Sequence, residues 1–204
     1  MPVQTRSVSM VPQLSEKASM DGDSTLDQDN VWMAAYAAGD LSAFDRLYQS
    51  CRLPLFRFLM QHLRNQALAD EIFQDVWHKV VVNRTQWRPT ASFKSWLFQI
   101  AHNRLMDHWR AAKLRPSAPE DAEARLERIA ETRTPESELS EFERRRQLQM
   151  ALERLPDEQR MVLTLRLDQQ LSLEDIGVIT GVGRETVKSR LRYAMDKLKV
   201  EMAP

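Results

Sequence analysis

The sequence predicts an all-α protein made of two small helical domains joined by a flexible acidic linker. Glycine is scarce, and no hairpin-type dipeptide separates alternating apolar runs, which disfavours a β-sheet. Apolar residues recur at helical spacing on both sides of residues 113–140, a proline-containing acidic stretch with too few large apolar groups to form a core. We therefore predict a disordered tail over 1–29, a first domain over 30–112, the linker over 113–140 and a second domain over 141–204.

The first domain has the pattern of an aromatic-rich helical bundle with its own core. Asp40 or Ser42 can cap its first clear helix, and apolar residues recur every four positions between 68 and 80 in the next. A further helix is predicted from its cap at Ser92 to Arg110. All five tryptophans precede residue 110, which favours a separate core in this half of the chain.

The second domain ends in a helix-turn-helix pattern. A helix stop and a new start are predicted at Pro156, and Ser172 is a plausible cap for the first helix of the motif. Residues 181–183 form a short glycine turn, where positive φ is permitted. The second helix is then predicted to bury apolar residues at helical spacing, namely Val187, Leu191, Ala194, Met195 and Leu198.

Charge is balanced overall but segregated along the chain. The protein has 204 residues, 29 basic and 29 acidic, so a zero net charge argues at first against a nucleic-acid partner. However, residues 88–115 and 184–199 are mainly basic, whereas 120–143 are mainly acidic. Basic DNA-facing segments offset by an acidic one would explain this pattern, and solvated helix faces remain the alternative.

The composition disfavours membrane, secreted and enzymatic classes. No stretch approaches the roughly 20 apolar residues that span a bilayer, and the single cysteine, Cys51, fits a reducing cytoplasm and a small buried role. His102 and His108 point in different directions on a helix, and no metalloprotease, paired-cysteine or phosphate-loop motif is present. We predict no catalytic residue, no metal and no cofactor.

The second helix of the motif exposes polar side chains where such helices reach base edges in the major groove. Arginine and lysine can donate to guanine, and hydroxyls can serve bases or phosphates. An ordinary helical hairpin with a basic surface is the alternative. The candidate DNA contacts are Arg184, Glu185, Thr186, Lys188, Ser189, Arg190 and Arg192.

Three runs together resemble the sigma-70 superfamily of initiation factors, in particular its extracytoplasmic-function (ECF) group. SFKSWLFQIAHNRLMDHWR is similar to the conserved second region, and ADEIFQDVWHKV to the acidic helix that binds core polymerase. LERLPDEQRMVLTLRLDQQLSLEDIGVITGVGRETVKSRLRYAMDKL resembles the fourth region. The resemblance covers about residues 31–200 and implies a region 2 helical bundle followed by a region 4 helix-turn-helix domain.

The resemblance implies a cytoplasmic initiation factor that binds the two largest polymerase subunits, reads −35 DNA with its second domain and melts −10 DNA with its first. It also implies control by an anti-sigma factor, which in some cases spans the membrane, and association with the nucleoid when active. The implied core-binding residues are Asp70, Glu71, Gln74 and Asp75. The implied −10 residues are Trp87, Arg88, Thr90, Ser92, Asn103, Arg104, Asp107 and Arg110.

Two features depart from the group. Gly177 stands where the first helix of the motif usually carries alanine, and a glycine inside a helix costs about 1 kcal/mol relative to alanine. The N-terminal tail is long for such a factor, and Met10 or Met20 would serve as alternative starts. The competing hypothesis is a conventional helix-turn-helix repressor or activator that acts without core polymerase.

Overall fold

The computed structural model describes residues 28–89, 91–114 and 136–202, and no strand occurs within those ranges. The predicted all-α class is therefore confirmed. Helix α1 covers residues 28–37, and the others are α2 (Leu41–Leu63), α3 (Gln66–Val82), α4 (Phe93–Leu114), α5 (Glu136–Glu153), α6 (Asp157–Leu167), α7 (Leu173–Thr180) and α8 (Arg184–Glu201), with a 3-10 turn at Arg84–Gln86.

Short polar side chains set the starts of the helices, as the sequence predicts. Asp40 caps α2 by accepting a hydrogen bond from the Ser42 backbone N–H at 2.9 Å. Ser92 Oγ accepts from the Ser95 backbone N–H at 3.0 Å at the start of α4. Such caps satisfy backbone donors that a helix leaves free.

The predicted boundaries move at three places. Helix α1 begins at residue 28, inside the predicted tail. Asp29 of this helix is 2% exposed and accepts a hydrogen bond from the buried Cys51 thiol at 3.6 Å. Helices α4 and α5 also extend into the two ends of the predicted linker. Residues 1–27 and 115–135 lie outside the described residues, so the predicted disorder and flexibility there stay predictions.

Aromatic side chains dominate the core of the first domain. The Trp77 ring meets Phe44 edge-on at a centroid distance of 5.7 Å and lies tilted against Tyr48 at 5.0 Å, which joins α2 to α3. Phe58 meets Phe98 edge-on at 5.1 Å, which joins α2 to α4. Edge-on pairs of this kind add about 0.5–1.5 kcal/mol each beyond the area that they bury. The core of this domain is thus rich in aromatic side chains, as predicted.

The helix-turn-helix is formed by α7 and α8. Gly181 ends α7 with φ 70°, and the backbone N–H groups of Gly181 and Val182 both bond to the Gly177 carbonyl. A Cβ atom at Gly177 would lie 2.8 Å from the Val182 carbonyl oxygen, a distance that would force the turn to shift. Glycine at this position therefore has a local reason, and the turn fixes the angle at which α8 leaves α7.

Most of the predicted inward face of α8 is confirmed. Val187, Ala194 and Leu198 are buried, and Leu191 packs partly buried against them. Met195 was predicted to face inward and is 39% exposed, so that prediction is wrong. Its neighbour Ala194 takes the inward position, because the face of α8 that meets α5 and α6 is narrower than the sequence pattern indicates.

The two domains also pack against each other, which the sequence did not predict. Helix α7 lies against α4 and helix α6 against α2, so buried residues of both domains form one continuous cluster. Gln61 Nε2 donates to Asp168 Oδ2 at 2.9 Å across this boundary. Arg64 reaches the Glu153 carbonyl oxygen at 3.2 Å and its carboxylate at 3.7 Å. The prediction of a separate core for the first domain was wrong for this reason.

Candidate nucleic-acid interface

The first half of α8 presents most of its polar side chains to solvent. Gly183 precedes the helix in an extended conformation, and Thr186, Lys188 and Arg192 are exposed. Glu185 is also exposed, and Ser189 is half-buried. Because Val187 and Ala194 are held in the core, this outer face has a fixed direction. It is the arrangement in which a recognition helix enters the major groove.

The three arginines of α8 differ in their exposure and in the groups that they contact. Arg184 pairs with Glu174 of α7, and Arg190, whose side chain is only 23% exposed, pairs with Glu158 of α6. The Arg192 guanidinium lies 5.1 Å from the centroid of the Tyr193 ring, an exposed cation–π contact. Arg190 therefore connects α8 to α6. Lys188 and Arg192 are exposed, and Arg184 is exposed but paired with Glu174.

The loop before α4 is organised by its own backbone. Arg88 donates to the Thr85 carbonyl oxygen at 2.7 Å and to the Trp87 carbonyl oxygen at 3.1 Å. Trp87 is 7% exposed, so its ring packs in the domain and offers little surface for stacking on a base. Ser92 is occupied as the cap of α4, and Thr90 lies outside the described residues.

The candidates on α4 share one exposed side. Asn103, Asp107 and Arg110 follow at spacings of four and three residues, which places them on one face, and all three are exposed. Asp107 and Arg110 form an ion pair at 2.9 Å. An exposed pair of this type contributes at most about 1 kcal/mol, so a phosphate could replace the carboxylate as the partner of Arg110.

The acidic face of α3 lies beside this side of α4. Asp70, Glu71 and Gln74 are exposed, and Asp75 is half-buried. The Asp75 carboxylate and the Arg104 guanidinium form an ion pair at 3.1 Å. The pair thus joins Asp75, a candidate for polymerase binding, to Arg104, a candidate for DNA binding.

Lys94 lies in the basic stretch 88–115 and is half-buried. Burial lowers its pKa, and it lies within electrostatic reach of the buried Asp29 and Cys51. Burial in turn raises the pKa of Asp29. A half-buried lysine presents less charge to a nucleic acid than a fully exposed one would.

Sequence reasoning missed the residues that join the two domains. Gln61 lies in the last turn of α2, Arg64 and Asp168 directly follow the ends of α2 and α6, and all three look like ordinary solvated side chains in the sequence. Arg64 has φ 55°, and this left-handed conformation at the end of α2 accompanies its approach to Glu153. No local pattern signals such contacts, because their partners lie far along the chain.

Comparison with known proteins identifies both halves. The sequence profile of sigma-70 region 2 matches residues 47–115, and that of sigma-70 region 4 matches residues 151–200. The ECF RNA polymerase sigma factor SigM of Mycobacterium tuberculosis is 34% identical over 167 residues, which are 81% of this chain and 80% of that protein. The chain belongs to the ECF sigma factor family.

Further relatives span similar lengths. SigW of Bacillus subtilis is 27% identical over 80% of this chain and 91% of its own. RpoE of Cereibacter sphaeroides is 31% identical over 80% of this chain and 88% of its own. The suspected sigma-70 resemblance is thereby confirmed, and this ECF factor is a non-enzymatic initiation factor that binds core RNA polymerase and promoter DNA.

Solved structures have the same fold. CnrH bound to the cytosolic domain of CnrY aligns over 85% of this chain and 96% of that one, with a TM-score of 0.61 and 22% identity. The sigma factor RpoE bound to the anti-sigma factor NepR from Bartonella quintana aligns over 79% of this chain and 98% of that one, also with a TM-score of 0.61, at 20% identity. Among the described residues of this ECF factor, no helix is both long and apolar enough to cross a membrane.

Proposed function

We propose that this ECF factor reads the −35 element with α8, opens the −10 element with α4 and the loop before it, and binds core polymerase through α3. The observation that carries the proposal is the outer face of α8, where Lys188 and Arg192 are exposed while Val187 and Ala194 are fixed in the core. A helix held this way can present several side chains to base edges at once.

At the −35 element, the roles of the α8 residues follow from their freedom. Lys188 and Arg192 are the candidates for guanine contacts, since their charged ends extend into solvent. Thr186 and Ser189 can serve bases or phosphates. Arg184 would exchange Glu174 for a phosphate or base at little cost, because both partners are exposed. Arg190 would hold α8 in position by its ion pair with Glu158 of α6.

At the −10 element, the exposed side of α4 supplies polar groups for single-stranded DNA. Asn103 can hydrogen-bond a base edge, and Arg110 can hold a phosphate once it releases Asp107. Arg88 and Trp87 shape the preceding loop, and the buried Trp87 ring would support the loop and leave stacking to other groups. Thr90 and Ser92 remain candidates for contacts with a flipped base.

At the polymerase, the α3 face would act through charge. Asp70, Glu71 and Gln74 form an exposed acidic and amide surface that fits arginines on a partner. Asp75 would contribute by releasing Arg104, with which it pairs. In this proposal α3 binds the polymerase and α4 binds the DNA, and the Asp75–Arg104 pair lies between the two surfaces.

We further propose that an anti-sigma factor controls this protein in the cytoplasm. Support comes from the fold that it shares with RpoE, which was solved with the anti-sigma factor NepR. The part of the acidic segment 113–140 that lies between α4 and α5 would act as a flexible connector between the two domains. Hydrogen exchange on the isolated protein tests this, and slow exchange across residues 115–135 would contradict it.

Run-off transcription tests the function directly. Purified protein and core polymerase are incubated with genomic promoter fragments, and transcripts are expected from a subset of them. A chain that binds the same fragments tightly without core polymerase and yields no transcript would be a conventional regulator. The start sites of the transcripts would also give the promoter sequence.

A further inference from the structure

The first turn of α1 attaches this helix to two other helices of its domain. Asp29 accepts a hydrogen bond from the Cys51 thiol of α2 at 3.6 Å. The next residue, Asn30, reaches α4, where its side-chain Oδ1 accepts a hydrogen bond from the Phe93 backbone N–H at 2.6 Å. The two partners in this second bond lie 63 residues apart in the chain, so no local sequence pattern signals the contact.

The Phe93 N–H is a donor that α4 cannot satisfy by itself. Phe93 is the first residue of α4, and the first four N–H groups of a helix have no carbonyl partner within it. Ser92 Oγ accepts from the Ser95 N–H at 3.0 Å, which satisfies a second donor of the same turn. The start of α4 therefore has two caps, a local one from Ser92 and a distant one from Asn30 of α1.

Removal of the Asn30 acceptor would leave a donor without a partner inside the domain. Phe93 is 0% exposed and Asn30 is half-buried, so water has little access to the bond that joins them. An unpaired buried donor destabilises the state that buries it. Because helix ends open more easily than helix interiors, the first turn of α4 would be the part that opens.

The loop that leads into α4 is held at both of its ends. At one end, Trp87 is 7% exposed and Arg88 donates to two backbone carbonyl oxygens. At the other end, Ser92 and Phe93 are fixed by the two caps of α4. Only residues 89–91 lie between these anchors. The position of Phe93 therefore limits where this loop can be placed.

We propose that Asn30 is a positioning residue for recognition of the −10 element. It fixes the start of α4, and thereby the end of the loop at which Thr90 and Ser92 are the candidates for contacts with a flipped base. Asn30 itself touches no DNA in this proposal. The positioning role rests on the proposed function of α4 and its loop, whereas the capping of α4 by Asn30 does not.

A contact that only stabilised the fold would have different consequences. Its loss would lower the stability of the chain and weaken every activity together. Loss of a positioning contact at the start of α4 should weaken binding to the −10 element and leave the surface of α8 unaffected, because α8 does not take part in the contact. The two readings are separated by measuring both elements.

Hydrogen exchange on the full-length chain tests the cap without DNA. In Asn30→Ala the Phe93 amide should exchange about tenfold faster than in the wild type, because its acceptor is gone. Asn30→Asp keeps an oxygen at the same place, at the positive end of α4, so exchange should stay slow. A Phe93 amide that exchanges at the wild-type rate in Asn30→Ala would overturn the inference.

DNA binding by the holoenzyme tests the positioning role. The probes are a fluorescent single-stranded −10 oligonucleotide and a separate −35 duplex, both taken from a promoter found by run-off transcription. Asn30→Ala should bind the −10 strand about fivefold more weakly and the −35 duplex as the wild type does. Asn30→Asp should restore −10 binding. Equal losses on both probes, or a loss that Asn30→Asp does not restore, would refute the positioning role.

Two further variants serve as controls. Asp40→Ala removes the cap of α2, a helix without any of the proposed DNA or polymerase contacts, so it should lower thermal stability and leave −10 binding unchanged. An equal loss of −10 binding in Asp40→Ala would show that stability alone explains the effect of Asn30. Asn103→Ala removes a proposed −10 contact of α4 and should weaken −10 binding.

The Asn103 variant also separates the inference from the function on which it rests. If Asn103→Ala weakens −10 binding and Asn30→Ala does not, only the role of Asn30 fails. If neither variant has an effect, the proposed −10 surface fails as well. Should circular dichroism show that Asn30→Ala does not fold, Asn30→Ser takes its place, since its oxygen ends one bond short of the amide oxygen. The same losses are then expected, and their absence would overturn the inference.

Discussion

The two proposed DNA-binding surfaces are constructed differently. On α8, the exposed cations Lys188 and Arg192 project from a helix whose direction is set locally by the turn at residues 181–183. On α4, the arginines are paired: Arg110 with Asp107 on the same helix, and Arg104 with Asp75 on α3. The first surface is preformed for duplex DNA, whereas the second must exchange partners before it can hold a strand.

This difference matches the two tasks. Reading a duplex requires rigid side chains at fixed spacing, because the base edges in the major groove are already in place. Holding a melted strand requires groups that become available as the bases separate. Pairing on α4 also reduces the attraction of free protein for random DNA, since nonspecific affinity grows with the number of available cations.

The largest expected effect comes from removing the preformed cations. Lys188→Ala with Arg192→Ala should weaken −35 recognition by about 2–4 kcal/mol, or roughly 30- to 1,000-fold, because each contact to a base is worth about 1–3 kcal/mol. Binding to core polymerase should be unchanged. Both are measured by fluorescence anisotropy, on promoter DNA with holoenzyme and on core enzyme alone.

A charge-matched control lies on the same helix. Lys197→Ala with Lys199→Ala removes the same net charge from exposed positions nearer the end of α8, and it should cost no more than about tenfold, with equal effect on any DNA sequence. If both double variants lose the same affinity, α8 acts through charge alone. The contrast between a reading surface and an attracting surface would then fail.

The next effect tests whether the turn fixes α8. Gly177→Ala places a Cβ atom 2.8 Å from the Val182 carbonyl oxygen, so the turn must shift. We expect a net loss of about 1–2 kcal/mol in unfolding free energy, after the better helix propensity of alanine is counted, together with weaker −35 binding. Thermal unfolding and the anisotropy assay measure the two.

Gly183→Ala is the matched control for the turn. A Cβ atom there meets nothing within 4 Å, and its φ of −69° suits any residue. The cost should be about 0.5 kcal/mol, from a poorer cap. Equal losses in the two alanine variants would mean that the close approach at Gly177 has no particular importance for the position of α8.

The smallest effect concerns the paired surface. Asp75→Asn breaks the ion pair with Arg104 and should lower the unfolding free energy by less than about 1 kcal/mol, because both side chains are partly exposed. Glu71→Gln makes the same charge change on an exposed position of α3 and should leave stability unchanged. Both should weaken core binding, measured by competition for core enzyme.

Only Asp75→Asn should also release Arg104, and this gives the sharper observation. Nonspecific affinity for single-stranded DNA should rise slightly in this variant and stay constant in Glu71→Gln. A rise in both, or in neither, would show that pairing with Asp75 does not restrain Arg104.

Sequence patterns predicted what is determined locally. The caps at Asp40 and Ser92, the glycine turn and the buried face of α8 depend on neighbours within a few residues. The polar face of α4 was predicted by the same reasoning, since side chains four and three residues apart on a helix share a side. Recognition of the two regions together then identified the family.

What the sequence did not predict depends on partners far along the chain. The Asp75–Arg104 pair, the Arg190–Glu158 pair and the burial of Trp87 decide which candidates are available, and each involves another helix or loop. The packing of α7 on α4 was missed because the apolar residues of each domain suffice to explain a separate core. Met195 was misplaced because periodicity does not give the width of a buried face.

The buried thiol of Cys51 gives the chain a built-in chemical reporter. Burial and the neighbouring Asp29 carboxylate raise the pKa of the thiol, so it stays protonated and reacts slowly with alkylating agents and oxidants. Asp29 belongs to α1, and its contact with Cys51 closes that side of the core. The rate at which Cys51 is alkylated would therefore measure how often α1 detaches from the core. The same rate could be measured in bacterial cells and in purified protein.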